Sequence, residues 1–315
     1  MMVSKFDLSV NQYLFIMSSR RSFLKTAATV STGLLIAPDL FARSGGNLFA
    51  PAKRQIGVQL YTVRQQMAAD PLGTLAKVAK IGFKTVEGAT YTGSELFYGM
   101  PAPQFKNILD DNGLEMPSAH YALGEANPNT KGTITNDWEK AVNDAATAGI
   151  KYMVCAYLAE PERGNLNHYL QTAQKLNAAG EICQKSGVKL CYHNHNFEFV
   201  AQDGTLPYEI LLKHTDPDLV NMEMDIYWVY KAKQDPITWF KQYPNRFPLW
   251  HVKDMDNTPE GKFTEVGHGI IPFKSVFTHA REAGLEYFFN EQDVCPGDPL
   301  VSMTESYNYI KANLV

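Results

Sequence analysis

The sequence predicts a closed (β/α)8 barrel, an α/β fold, as a single domain over residues 51–315. Three observations carry that reading. The first is a recurring unit in which a helical stretch ends at glycine and an apolar run begins. Its copies are Ile81-Gly82-Phe83-Lys84-Thr85-Val86-Glu87, Ala148-Gly149-Ile150-Lys151-Tyr152-Met153-Val154, Ser186-Gly187-Val188-Lys189-Leu190-Cys191-Tyr192 and Ala283-Gly284-Leu285-Glu286-Tyr287-Phe288-Phe289. Asn112-Gly113-Leu114-Glu115-Met116 is a partial fifth. Glycine supplies the left-handed residue that ends a helix. Alternating helices and apolar strands build a parallel sheet with right-handed crossovers. The second observation is the count: eight such strands fit a span close to the roughly 250 residues of a closed barrel. The third is that the strands turn polar at their carboxyl ends.

In chain order, strands are expected at residues 56–61, 85–88, 116–120, 152–156, 189–194, 220–225, 247–252 and 287–291. Amphipathic helices are expected at 71–80, 105–111, 137–148, 166–185, 208–214, 236–243, 273–283 and 299–312. An open doubly wound sheet would want a G-x-G-x-x-G turn after the first strand. That strand runs instead into Gln59-Leu60-Tyr61-Thr62-Val63-Arg64.

Residues 1–50 are set aside as a signal and leader. Ser19-Arg20-Arg21-Ser22-Phe23-Leu24-Lys25 resembles the twin-arginine export signal, and a mildly apolar stretch over 26–37 follows, too short to span a bilayer. The expectation is a periplasmic protein with no membrane anchor after cleavage. The chain has 315 residues, 45% hydrophobic and 20% charged, with a formal net charge of −4. That balance gives no support for nucleic-acid or anionic-membrane partners. The four cysteines form no C-x-x-C pair, which argues against a zinc ribbon or a thioredoxin-like site. A homo-oligomer is left open.

Barrel active sites lie at the carboxyl ends of the strands. Those ends read Tyr61, Glu87, His120, Tyr157, His193 and His195, Asp225, His251 and Lys253, and Glu291. Unpaired charge there costs free energy, so a purely structural barrel has no reason to collect it. His193 and His195 are two apart on an extended segment and point the same way. Asp225, His251 and Glu291 at successive strand ends, with His193, form a donor set for one divalent metal ion. Mixed carboxylate and imidazole donors suit Mn, Co, Zn, Fe or Mg. Aromatic residues at the same end, Tyr61, Tyr157 and Trp228 among them, suit the C–H face of a sugar.

Further markers are Ile56-Gly57-Val58-Gln59-Leu60-Tyr61-Thr62, Tyr192-His193-Asn194-His195, Met224-Asp225, His251-Val252-Lys253-Asp254 and Gly267-His268-Gly269-Ile270-Ile271-Pro272-Phe273. With them the chain resembles the sugar phosphate isomerase/epimerase family of xylose isomerase-like TIM barrels, from Ile56 to about Leu314. The resemblance implies a metal held by a Glu, an Asp, a His and a second Glu from strands five to eight. Asp225, His251 and Glu291 match the last three. His193 stands where the first Glu is expected, so only Glu291 remains to take a proton from the substrate as a ligand carboxylate. That departure leaves room for one-sided proton abstraction followed by loss of a leaving group, as in inosose dehydratases and 3-keto-glycoside lyases.

The expected activity is isomerase, epimerase or lyase chemistry on a small-molecule sugar or keto-sugar. It would run by proton abstraction next to a carbonyl through a metal-stabilised enediolate. Glu291 or His195 would be the base. His120 or Lys253 would supply further acid–base or electrostatic help, and Glu87 would bind sugar hydroxyls. For Lys253 and Glu87 the structural alternative is an ion pair, and for His120 a satisfied strand-end imidazole. No Arg/Lys cluster marks a phosphate site, so an unphosphorylated substrate is expected. The rival classes are a periplasmic sugar-binding protein without turnover and a metal-dependent endonuclease.

Overall fold

The computed structural model describes residues 54–315. The twin-arginine motif with Arg20 and Arg21, and the leader to residue 50, lie outside the described residues. Eight strands are parallel: β1 Gly57–Gln59, β2 Thr85–Gly88, β3 Glu115–Tyr121, β4 Tyr152–Cys155, β5 Lys189–His193, β6 Val220–Asp225, β7 Leu249–Val252 and β8 Tyr287–Asn290. Each pairs with the next, and β8 returns to β1 with Gly57 opposite Phe289. The expected closed barrel is therefore the observed fold, as a single domain. Among the described residues no helix is long and apolar enough to cross a membrane.

The local signals act as their chemistry requires. Asp-Pro opens three helices, Pro71–Ile81, Pro236–Gln242 and Pro299–Asn313. In each, the Asp side chain accepts a hydrogen bond from a first-turn N–H and the proline takes a position that needs no donor. Gly149 and Gly284 end their helices with φ of 81° and 80°.

The first strand, expected to reach Tyr61, ends at Gln59 and gives way to a 3-10 turn over Leu60–Val63 and a helix over Arg64–Ala69, and other elements differ too. The helix expected at 273–283 splits into Phe273–Phe277 and Ala280–Ala283, because Thr278 bonds back to the Ser275 carbonyl from both its N–H and its hydroxyl. A short helix, Ile226–Lys231, follows β6 directly, with Asp225 as its cap. An antiparallel pair, Asp254–Met255 with Phe263–Thr264, follows β7.

Alternation along the strands divides the interior in two. Met222, Met224, Trp250, Val252, Leu190 and Phe288 point outward and pack in the large core that includes the helices. Their neighbours point inward. Inside the barrel the apolar cluster is small: Tyr152, Val154, Cys191, Leu249 and Phe289. Above it the inward residues are polar, and they build the site.

Candidate active site

Most of the barrel strands place one or two polar side chains at the mouth, β4 being the exception, and two groups of four come within ligand distance of one another. The outer group is His193, Asp225, His251 and Glu291. The inner group is Glu87, His120, Glu223 and His251. His251 belongs to both. Register explains this: Asp225 lies opposite His251 across β6 and β7, and His193 opposite Glu223 across β5 and β6.

In the outer group, His193 Nε2 lies 3.2 Å from Asp225 Oδ2 and 3.2 Å from His251 Nδ1. His193 Nδ1 is 3.1 Å from the Ala156 carbonyl, which can only accept. The proton therefore sits on Nδ1 and the Nε2 lone pair faces the group. Asp225 gives Oδ1 to the N–H of Trp228 at 3.0 Å and keeps Oδ2 for the site. Asn194 brackets the Asp225 backbone with two hydrogen bonds. Glu291 Oε2 is 2.8 Å from His251 Nδ1 and 2.6 Å from Lys253 Nζ, yet it is buried without a hydrogen bond to either.

In the inner group, His251 Nε2 lies 2.5 Å from Glu87 Oε2. Glu87 also accepts from Gln59 at 2.8 Å and Ser118 at 2.5 Å, and it has no exposed surface. Its acceptors are filled from within the barrel, so it orients His251 and does not reach a substrate. His120 Nε2 bridges Glu223 at 2.9 Å and Glu87 at 3.3 Å. Burial opposes charge on His120, but Glu87 and Glu223 prevail and raise its pKa to about 9. Glu87 is likewise held well below the usual carboxylate range: burial pushes it up, and His120 and His251 outweigh that.

The two groups differ in what completes them. In the inner one, the His120 proton already lies between two carboxylates. In the outer one, one ring nitrogen from each of two imidazoles converges with two carboxylate oxygens, and both imidazoles are held by an acceptor on the far nitrogen. That second-layer support is what metal-binding histidines have. Charge agrees: Asp225, Glu291 and Asp293 surround a single cation, Lys253. The outer donors therefore fit one divalent ion. Burial lowers the pKa of His251, and Glu223, Glu291 and Glu87 more than reverse it. The proton so attracted marks where positive charge is wanted.

Lys253 is buried, and its Nζ lies 2.9 Å from Asp225, 2.6 Å from Glu291 and 2.8 Å from Asp293. All its donors face carboxylates of the site. His195 is half-buried at the mouth, 4.8 Å from the His193 ring, stacked on Phe197 at 5.4 Å and beside Trp228 at 5.5 Å. Burial, then His193 and Lys253, hold its pKa well below the usual value, and its buried Nδ1 has no partner. Tyr157 sets its ring edge on His195 at 5.0 Å. Tyr61 stands apart, 40% exposed, with the Arg64 guanidinium over its ring.

Three participants were not foreseen: Glu223, Asp293 and Gln59. Glu223 had a usable signal, since it precedes Asp225 by two on β6 and so faces inward with it. The Gly267-His268-Gly269 motif proves to be structural. Asp254 Oδ2 accepts from the N–H groups of Gly267 and Gly269, while the His268 side chain is 59% exposed.

A family model described as xylose isomerase-like TIM barrel matches residues 75–298. A sugar phosphate isomerase/epimerase from Parabacteroides distasonis ATCC 8503 is 29% identical with a TM-score of 0.71, over 84% of this chain and 96% of that one. The inosose dehydratase of Lacticaseibacillus casei is 26% identical over 161 residues, 45% of this chain and 53% of the relative. The chain thus spans about half the length of the curated relatives it matches. The IOLI protein with a bound zinc atom has a TM-score of 0.63 at 14% identity, over 82% of this chain and 97% of that one, a likeness of fold alone.

Proposed function

The chain belongs to the xylose isomerase-like TIM barrel family, and from that premise we propose a metal-dependent enzyme that removes a proton next to the carbonyl of an unphosphorylated sugar or keto-sugar. The observation that carries the reading is His251: Nδ1 lies within the outer donor set while Nε2 is 2.5 Å from buried Glu87. That arrangement orients an imidazole toward a cation. His193 Nε2, His251 Nδ1, Asp225 and Glu291 would hold the ion. Two nitrogens and two oxygens suit zinc, manganese or cobalt better than magnesium, which favours oxygen and water. Once bound, the ion would polarise the carbonyl and offset the charge that develops on its oxygen.

Glu291 is the base. Its carboxyl is held well below the usual range: burial pushes it up, and Lys253 and His251 outweigh that. It is therefore held as the carboxylate, the form that can accept a proton. It takes the proton from carbon, and the electron pair left behind forms the enediolate. The pair then either recaptures a proton at the neighbouring carbon or expels a substituent there, which leaves with a proton. With His193 in place of a second glutamate, the second outcome, a lyase or dehydratase, is favoured. His195, held neutral beside His193, is suited to relay the proton between the leaving group and solvent. The inosose dehydratase relatives support the same outcome.

The test is an incubation in deuterium oxide with zinc, manganese or cobalt and a panel of keto-sugars, following α-hydrogen exchange and product by NMR. Exchange that requires metal and stops on chelation is expected. No exchange with any metal would overturn this reading in favour of the binding-protein or endonuclease alternative. We also propose export of the folded protein by the Ser19–Lys25 signal. Replacing Arg20 and Arg21 with Lys should retain it in the cytoplasm, and unchanged export would remove the proposal.

A further inference from the structure

The mouth is flanked by two unlike cavities. One, of about 590 Å³, is lined by Lys231, Asp256, Glu260 and Lys262 as well as aromatic rings. The other, of about 340 Å³, lies among the segments that follow β2, β3 and β4. It shares its wall with the site. His120, Ala156 and Tyr157 line it, and these hold Glu223, the His193 ring and the His195 ring respectively. A molecule bound at the outer donors therefore has this cavity within reach.

The smaller cavity offers little to a hydroxyl. Ala89, Ala122 and Leu123 present methyl groups. Several of the polar groups around it are already paired, although the Tyr121 hydroxyl is buried without a partner. Glu162 accepts from the N–H groups of Ala126 and Ala159 at 3.1 and 2.7 Å, and the Tyr91 hydroxyl donates to Asp144 at 2.6 Å. A second sugar here would lay most of its hydroxyls against methyl groups and rings, which is costly. An apolar ring would not. An apolar cavity of about 150 Å³ already admits benzene.

We propose that the substrate is a sugar bearing an apolar, ring-sized substituent, seated in the cavity between Ala89, Ala122 and Tyr157 while the sugar lies at the outer donors. This rests on the sugar-enzyme reading above and names the substrate class for that site. Apolar burial of one ring corresponds to a preference of about tenfold or more.

The test is calorimetric binding of phenyl and methyl glucosides, in both anomeric forms, to the zinc-loaded protein. The phenyl probe should bind at least about tenfold tighter. Ala122→Phe should remove that preference and leave the methyl probe unchanged. Ala89→Leu fills the cavity from the other side and serves if Ala122→Phe does not fold, with folding checked by thermal unfolding. Equal binding of the two probes, no measurable binding of the phenyl probe, or a preference that survives in a folded variant would overturn the assignment. Because binding is read without turnover, a preference for phenyl in a protein that exchanges no α-hydrogen would uphold the cavity while removing the catalytic reading.

Discussion

Two tetrads of ionisable side chains share one imidazole. Below the His251 ring, Glu87, His120 and Glu223 form a buried network, with Glu87 and Glu223 fully enclosed. Above it, His193, Asp225 and Glu291 leave lone pairs facing each other at the mouth. The residue types are nearly the same, carboxylates and histidines. The difference lies in where the protons go. In the inner tetrad His120 is cationic between two carboxylates, and only Glu223 Oε1 is left without a partner. In the outer tetrad one nitrogen of each imidazole is held from behind, by the Ala156 carbonyl and by Glu87, so the other nitrogen of each ring is turned toward the two carboxylates. Composition alone does not fit four side chains to a metal ion; the outward direction of their donor atoms does.

The comparison breaks most visibly at Glu291. In metal-saturated protein, Glu291→Gln should slow α-hydrogen exchange by about 10²–10⁴-fold with little change in unfolding temperature. Wild-type exchange in that variant would move the base to His195 and leave Glu291 a ligand only.

The inner tetrad should respond in the opposite manner. His120→Leu strips the cation from two buried carboxylates and should cost about 3–5 kcal/mol of stability, measured by urea unfolding. Metal affinity, measured by competition with a chelator, should change far less. A large loss of affinity without loss of stability would place His120 in the outer site.

The same histidine has a pH signature. Its folded pKa of about 9 lies above the ordinary value near 6.5. Its contribution is complete below about pH 6.5 and declines as pH rises through 9, on the order of 3 kcal/mol in total. Unfolding free energies of wild type and His120→Gln should converge over that window. Parallel curves would show that His120 does not titrate there.

The smallest effect separates the tetrads by ligand linkage. Free zinc at 100 times its dissociation constant should stabilise wild type by about 2.7 kcal/mol. His120→Gln should keep that increment, and Asp225→Asn should lose most of it. An increment lost in His120→Gln and kept in Asp225→Asn would reverse the assignment of the two tetrads.

Much of the fold was legible. The glycine-to-strand units, the Asp-Pro helix starts and the polar strand ends are local signals, set by backbone preference and by which face a side chain takes. Asp225 and Glu291 could be singled out because each ends an apolar run abruptly. Glu223 escaped because it lies inside a strand, where a lone charge reads as part of the run. The helix over 226–231 escaped because its start is the site aspartate itself, which caps it with one oxygen.

The sequence by itself determined the barrel, the direction in which its site faces, and the outer donors, because alternation and caps act over a few residues. Tertiary structure alone decided that Glu87 orients His251, that Glu223 and His120 neutralise each other, and that an apolar cavity adjoins the mouth. Glu87 and His251 are 164 positions apart, and no local preference relates them. Closing the sheet into a barrel brings them to 2.5 Å, and burial then requires every remaining charge to find a partner.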